Sequence, residues 1–403
     1  MQQIGSAERG ALDRWALHLT LLLWLVPMIV IAVALFRDPV DRSLDPLYRM
    51  TVDAWKGDDA VYRGSGGFNY LPQAILVYLP FSELPQPFGQ ILWRLLAAWL
   101  LASGLWILMG LQERPRLERG MLLLSAMSLP LLLGALQTGQ ANALLAGILL
   151  HAAVGLQRGQ MWRTAAWLMF GAALKPIFLA PLGLAVLMAP TLVIPLVVFG
   201  FVWLSLPFIG ASAETVLLQY RLSVTNLTDS CAQVNEDRFT DINGLLRGFR
   251  VYLDQPASTV LRVLVGMLCA ASVLEVRLRN GIGAASVRYW LVMSAGYLML
   301  CNPMSEANSY VIFGIPMALV CWHWLGEGES TTAPRRAGHW FGWCGLALLL
   351  VMGIGSELVR PTFGNAFDLR VLPATALVLM LLTSADALPA VRRPPKDHTP
   401  CTT

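Results

Sequence analysis

The chain has 403 residues, 56% of them hydrophobic and only 13% charged. The formal net charge of +4 does not mark a nucleic-acid surface, because the arginines stand at the ends of apolar runs. Those runs, each about twenty residues long, recur from end to end and exclude a separate soluble domain. They lack the period-2 alternation of barrel strands, so the sequence predicts an all-α polytopic membrane protein.

The first apolar run spans Trp15 to Phe36. Arg9, Arg14 and Ala32-Val33-Ala34 have the features of a cleavable signal, but the run is long for one and is read as an uncleaved first span. The polar stretch 37–85 follows. Within it Asp45-Pro46 reads as a helix start, with Asp as N-cap and Pro at the first helical position. Leu47, Met50, Thr51, Ala54 and Trp55 recur at helical spacing, opposite Asp45, Arg49, Asp53 and Lys56, and Gly57 ends the helix. This predicts a short amphipathic helix lying in the membrane interface. A second runs from Tyr70-Leu71-Pro72 to Leu84. Asp45 is either a cap, with Arg49 as its salt-bridge partner, or a chemical group.

Span two is placed at residues 86–111. Gln137-Thr138-Gly139-Gln140-Ala141-Asn142 joins spans three and four, its amides serving helix–helix hydrogen bonds or a site. His151 reads as a core histidine. Residues 164–189 are two short apolar pieces joined by Lys175-Pro176, which predicts a broken re-entrant hairpin with Lys175 near its tip. An ionisable group at that depth is a functional candidate. Asn302-Pro303-Met304-Ser305-Glu306-Ala307-Asn308-Ser309-Tyr310 connects two later spans, as an ordinary polar turn or as part of a site. The count is about ten transmembrane helices plus the hairpin.

Arginine-rich short loops mark the cytoplasmic side. Arg114, Arg116 and Arg119, then Arg158 and Arg163, Arg277, Arg279 and Arg288, and Arg335 and Arg336 form that set. The stretches 37–85 and 211–256 are neutral to acidic and fall on the outer side, which leaves both termini cytoplasmic. The Pro-rich tail 391–403 is expected to be disordered, beyond a single domain at 1–390. The six cysteines show no metal-like spacing, and the chain carries no P-loop, GxSxG or dinucleotide fingerprint. Asn226-Leu227-Thr228 matches a glycosylation sequon, a pattern common by chance.

One set of residues resembles a known family. Asp45-x-x-Tyr48, Trp55-x-Gly57, Tyr62 and Tyr70-x-Pro72 after the first span are similar to glycosyltransferase family 87. Gly139-Gln140-x-Asn142 and Leu174-Lys175-Pro176 resemble two further blocks of that family, in order and spacing. The family's Pro-x-Ser-Trp-x-His-His is replaced here by Pro303-Met304-Ser305-Glu306-Ala307-Asn308-Ser309, so Asn308 or Ser309 stands where a histidine is usual. The resemblance implies a GT-C-like bundle that moves a hexose or pentose, mannose-like by preference, from a polyprenyl-phosphate donor to a lipid-linked or periplasmic glycan acceptor. It implies a bacterial inner-membrane enzyme with its site facing the periplasm. It also implies Asp45 as general base, with Lys175 or Arg238 as the cation steadying the phosphate. Tyr48, Asn69 and Tyr70 would orient sugar hydroxyls, and Gln140, Asn142, Glu306 and Asn308 would complete the binding site. No cofactor or metal is required, because the donor brings its own leaving group; a cation site at Asp53, Asp58 and Asp59 is the alternative, which activity unchanged by a chelator would exclude. A transporter or flippase for a lipid-linked sugar is the main rival, and a scaffold subunit the second. Transporters often show repeated halves, and none is found here.

Overall fold

The computed structural model describes residues 2–57, 61–62, 68–111, 117–232, 239–327, 336–355, 358–359, 362 and 366–387. Among these every regular element is helical. Helix α1 (Gln2–Arg37) leads into two short helices, α2 (Asp45–Lys56) and α3 (Pro72–Ser82). The bundle continues through α4 (Gln86–Gly110), α5 (Leu117–Thr138), α6 (Asn142–Gln157), α7 (Met161–Leu174), α8 (Leu179–Met188) and α9 (Val193–Ser205). Next come α10 (Ala213–Ala232), α11 (Ile242–Gly248), α12 (Gln255–Asn280), α13 (Ala284–Cys301) and α14 (Val311–Glu327). Helices α15 (Arg336–Leu350) and α16 (Ala366–Ala387) complete the order.

Among the described residues six helical stretches are long and apolar enough to cross a membrane: Asp13–Arg37, Gln86–Gly110, Leu117–Thr138, Pro190–Ile209, Gln255–Asn280 and Ala366–Ala387. The chain is therefore a multi-pass membrane protein. Helices α6, α13 and α14 are shorter, at 16, 18 and 17 residues, and lie inside the bundle. Helix α6 is buried from Asn142 to Leu156, as expected for a helix apolar all round. Gly147 lets it lie against α4, for a Cβ there would come within 2.7 Å of Leu101 N.

The chain breaks between α7 and α8. Lys175 is extended (φ −143°, ψ 118°), and Pro176 opens a single 3₁₀ turn, Pro176–Phe178. Met188, at the far end of α8, accepts a hydrogen bond from Arg277 of the basic α12 end. The turn that follows α8, Pro190–Leu192, packs against α7. The two arms thus enter and leave together. A 14-residue arm rises about 21 Å, short of a bilayer core of roughly 30 Å, so Lys175 stops below the opposite end.

Candidate active site

Helix α2 begins beside the α5 terminus, where Leu44 N donates to Thr138 O at 2.9 Å. Its buried face is Asp45, Tyr48, Thr51, Val52, Ala54 and Trp55, while Met50 is exposed. The buried face thus cuts across the two faces read from the sequence, which grouped Met50 with Leu47, Thr51, Ala54 and Trp55 and set Asp45 opposite them. The cause is the company Asp45 keeps. Its carboxylate accepts from Arg49 Nε at 2.9 Å, Gln90 Nε2 at 3.1 Å and the Tyr78 hydroxyl. It makes no capping bond; Leu44 holds the N-cap position. Only 2% of Asp45 is exposed. A carboxylate with this many donors is buried without an unpaired charge.

A neighbouring buried group was passed over in the sequence. Arg94, on apolar α4, is 1% exposed and donates to Leu136 O at 2.7 Å, Gln137 O at 2.9 Å and Ser43 Oγ at 3.2 Å. It thereby closes the C-terminal end of α5. Trp93 Nε1 adds a bond to Gly139 O at 2.9 Å. Gly139 has φ +68°, and a Cβ there would sit 2.9 Å from the guanidinium. An arginine inside an otherwise apolar span was the signal available.

Helix α10 supports the first loop. Val61 N donates to Gln219 Oε1 at 3.4 Å. Asn226 Nδ2 donates to Phe68 O at 3.3 Å and Asn69 Oδ1 at 2.7 Å, and Ser230 Oγ reaches Asn69 Oδ1 at 3.3 Å. Gln219, Ser223, Asn226 and Ser230 recur on one helical face, and that face is buried. The acceptor side chain of the sequon, Asn226, is therefore inside the protein, while Thr228 is exposed.

These supports surround a cavity of about 230 Å³. One wall is Leu44, Leu47 and Tyr48, and Asn69 and Tyr70 continue it. Gln140 and Asn142 come from the α5–α6 turn, Lys175 from the hairpin tip, and Phe239, Met304, Glu306 and Ser309 close the rest. Among the described lining residues Lys175 is the one cation and Glu306 the one carboxylate. They are joined by amides. Lys175 Nζ donates to Asn142 Oδ1 (3.4 Å), Asn142 Nδ2 to Gln140 Oε1 (2.7 Å), and Gln140 Nε2 to Glu306 Oε2 (3.3 Å). An ammonium can only donate and a carboxylate only accept, so the two ends set the direction of every amide between them. Ser309 Oγ also accepts from Asn142, at 3.1 Å. Tyr48 and Tyr70 hydroxyls meet at 2.9 Å, and Lys175 lies 5.9 Å from the Tyr70 ring centre. Burial pushes both phenols up from their ordinary value, so both remain neutral hydroxyls.

The cavity gathers Tyr48, Asn69, Tyr70, Gln140, Asn142, Lys175 and Glu306 from the residues singled out in the sequence. Asp45 and Asn308 do not line it. Asn308 turns instead toward Gly134 of α5. Arg238 lies outside the described residues, as do Asp58, Asp59 and the tail after Ala390, and Asp53 is exposed on α2. No group of three or more potential metal ligands occurs among the described residues. His151 is a core residue, stacked on Trp167 and 3.1 Å from Ser103 Oγ. Ser309, Met304 and Phe239 line the cavity without having been marked as binding residues in the sequence.

The sequence model described as Glycosyltransferase family 87 matches residues 68–303. No curated protein matches the chain. Two solved structures of ArnT from Cupriavidus metallidurans are similar in fold. One, bound to undecaprenyl phosphate, is 14% identical, covers 89% of this chain and 77% of its own, and has a TM-score of 0.37. The other, in the apo state, is 13% identical, covers 89% and 76%, and has the same TM-score.

Proposed function

The chain belongs to glycosyltransferase family 87, and we propose that it transfers one sugar from a polyprenyl-phosphate carrier to a hydroxyl of a lipid-linked or periplasmic glycan. The observation that carries this reading is the single cavity in which Lys175 and Glu306 stand at opposite ends of one amide chain. The acceptor hydroxyl attacks the anomeric carbon and gives its proton to Glu306. The bond from that carbon to the phosphate oxygen breaks, and the polyprenyl phosphate leaves with the negative charge that Lys175 steadies. One carboxylate supports a single displacement, which inverts the anomeric centre. Tyr48, Tyr70 and Asn69 orient the sugar and phosphate. A mannose-like hexose is the preferred cargo.

Glu306 replaces Asp45 as the proposed base because it lines the cavity, whereas Asp45 is already committed to Arg49, Gln90 and Tyr78. A general base must come within hydrogen-bond reach of the proton it removes. Asp45 instead ties α2 to α3 and α4. The acidic balance of the loops at the cavity end, against the arginines at the other, supports a site on the periplasmic side of a bacterial inner membrane with both termini cytoplasmic.

The test is transfer in proteoliposomes from synthetic polyprenyl-phosphate hexoses and pentoses to a lipid-linked acceptor, with the product's anomeric configuration read by NMR. An inverted product is expected. Movement of the intact lipid-linked sugar across the bilayer, with no new glycosidic bond, would establish a flippase instead.

A further inference from the structure

Asn226 sits on α10, 4% exposed, and its own Oδ1 is buried with no hydrogen-bond partner. A buried carbonyl left unpaired is costly and needs a reason. The reason lies in what the rest of the side chain does. Asn226 Nδ2 donates both to the main-chain carbonyl of Phe68 and to Asn69 Oδ1. A carbonyl can only accept, so flipping the Asn226 amide would set two acceptors face to face. Phe68 O thus fixes Asn226, and Asn226 fixes Asn69. With Ser230 as a second donor, both lone pairs of Asn69 Oδ1 are occupied.

The Asn69 amino group is consequently turned the other way, to the cavity it lines. Its partner there is Met304 Sδ at 3.6 Å, a weak acceptor. A donor held in place with only a thioether to receive it is available to a ligand. Tyr70 and Lys175 line the same cavity, and the ammonium is a further donor. Fixed donors grouped around a cation suit an oxygen-rich anion.

We propose that Asn226, with Ser230, is a positioning residue that holds the Asn69 amide with its NH₂ aimed at the phosphate of the lipid-linked donor. This rests on the polyprenyl-phosphate reading given above. The experiment measures binding of decaprenyl phosphate, without sugar, to detergent-solubilised protein, so that it does not depend on turnover. Asn226→Leu is expected to raise Kd about tenfold, the scale of one hydrogen bond to a charged group. Asn69→Ala should do the same, and the double variant should be no worse than Asn69→Ala alone. Binding of decaprenol, which lacks the phosphate, should be unchanged in all three. Should Asn226→Leu fold poorly, Ser230→Ala gives the same pattern in weaker form. The proposal is overturned if wild type does not bind decaprenyl phosphate, or if Asn226→Leu leaves Kd within about twofold of wild type. It is equally overturned if Asn226→Leu costs as much in the Asn69→Ala background as in wild type, because that is what mere loosening of α10 would do. Normal binding with no sugar transfer would refute the enzymatic reading and leave this one standing.

Discussion

Glu306→Gln and Asp45→Asn should have opposite profiles, and the pair separates a base from an anchor. The Glu306→Gln side chain keeps an oxygen to accept from Gln140, now 3.3 Å from the carboxylate, so the amide chain survives. Stability should stay near wild type. The titratable group is lost, and general acid–base catalysis contributes about 10²–10⁴ in rate, so transfer should fall by that factor. Asp45→Asn exchanges two carboxylate oxygens for one oxygen and one amino group. The amide oxygen can stay on the Arg49 and Gln90 side, and the amino group can donate to the Tyr78 hydroxyl, which also accepts. What is lost is the charge opposite the Arg49 guanidinium at 2.9 Å, and breaking a largely buried ion pair from one side destabilises the protein by about 3 kcal/mol. An Asp45 that served only as a cap would tolerate Asn almost without loss. The assay is thermal unfolding in detergent beside transfer rate at a temperature where both variants are folded. A stable Asp45→Asn protein that has lost transfer, beside a Glu306→Gln protein that retains it, would refute the assignment and return the base to Asp45.

Other outcomes follow from the same geometry. Lys175→Met should raise donor KM at least tenfold, the scale of losing one charged hydrogen-bond donor, with thermal stability kept or improved; unchanged donor kinetics would remove Lys175 from the site. Gly139→Ala should cost about 1–2 kcal/mol because the residue is left-handed, and should also weaken transfer by pushing Arg94 off the α5–α6 turn; melting curves and rates together read this. In a background lacking Cys344, a membrane-impermeant maleimide should label Tyr252→Cys in intact cells and leave Arg279→Cys unlabelled, and the reverse pattern would invert the topology. Chelation with EDTA should leave transfer unchanged, since the proposed donor carries its own leaving group.

The helical, membrane-crossing character was legible because apolar run length is a direct consequence of bilayer thickness. The Lys175-Pro176 break was legible for a similar reason, since proline removes a donor and constrains its predecessor. Most of the cavity could be named in advance, because Gln140, Asn142, Lys175 and Glu306 are polar groups in apolar surroundings. The role of Asp45 could not. A helix-start pattern is the same whether the carboxylate faces water or four donors, and three of those donors, Tyr78, Gln86 and Gln90, lie more than thirty residues away. Asn226 was hidden for a related reason. Its sequon describes three adjacent residues, whereas its work is done through Phe68 and Asn69, more than 150 residues earlier.

The cavity draws on residues from Leu44 to Ser309, and that spread has a consequence for biosynthesis. The family match ends at residue 303, three residues before Glu306. About 130 residues separate Lys175 from Glu306, so at roughly 5–20 residues per second the ribosome needs on the order of ten seconds to follow the one with the other. Throughout that interval the nascent chain carries Lys175 without Met304, Glu306 and Ser309, so the cavity can be complete only after that last lining segment has been made.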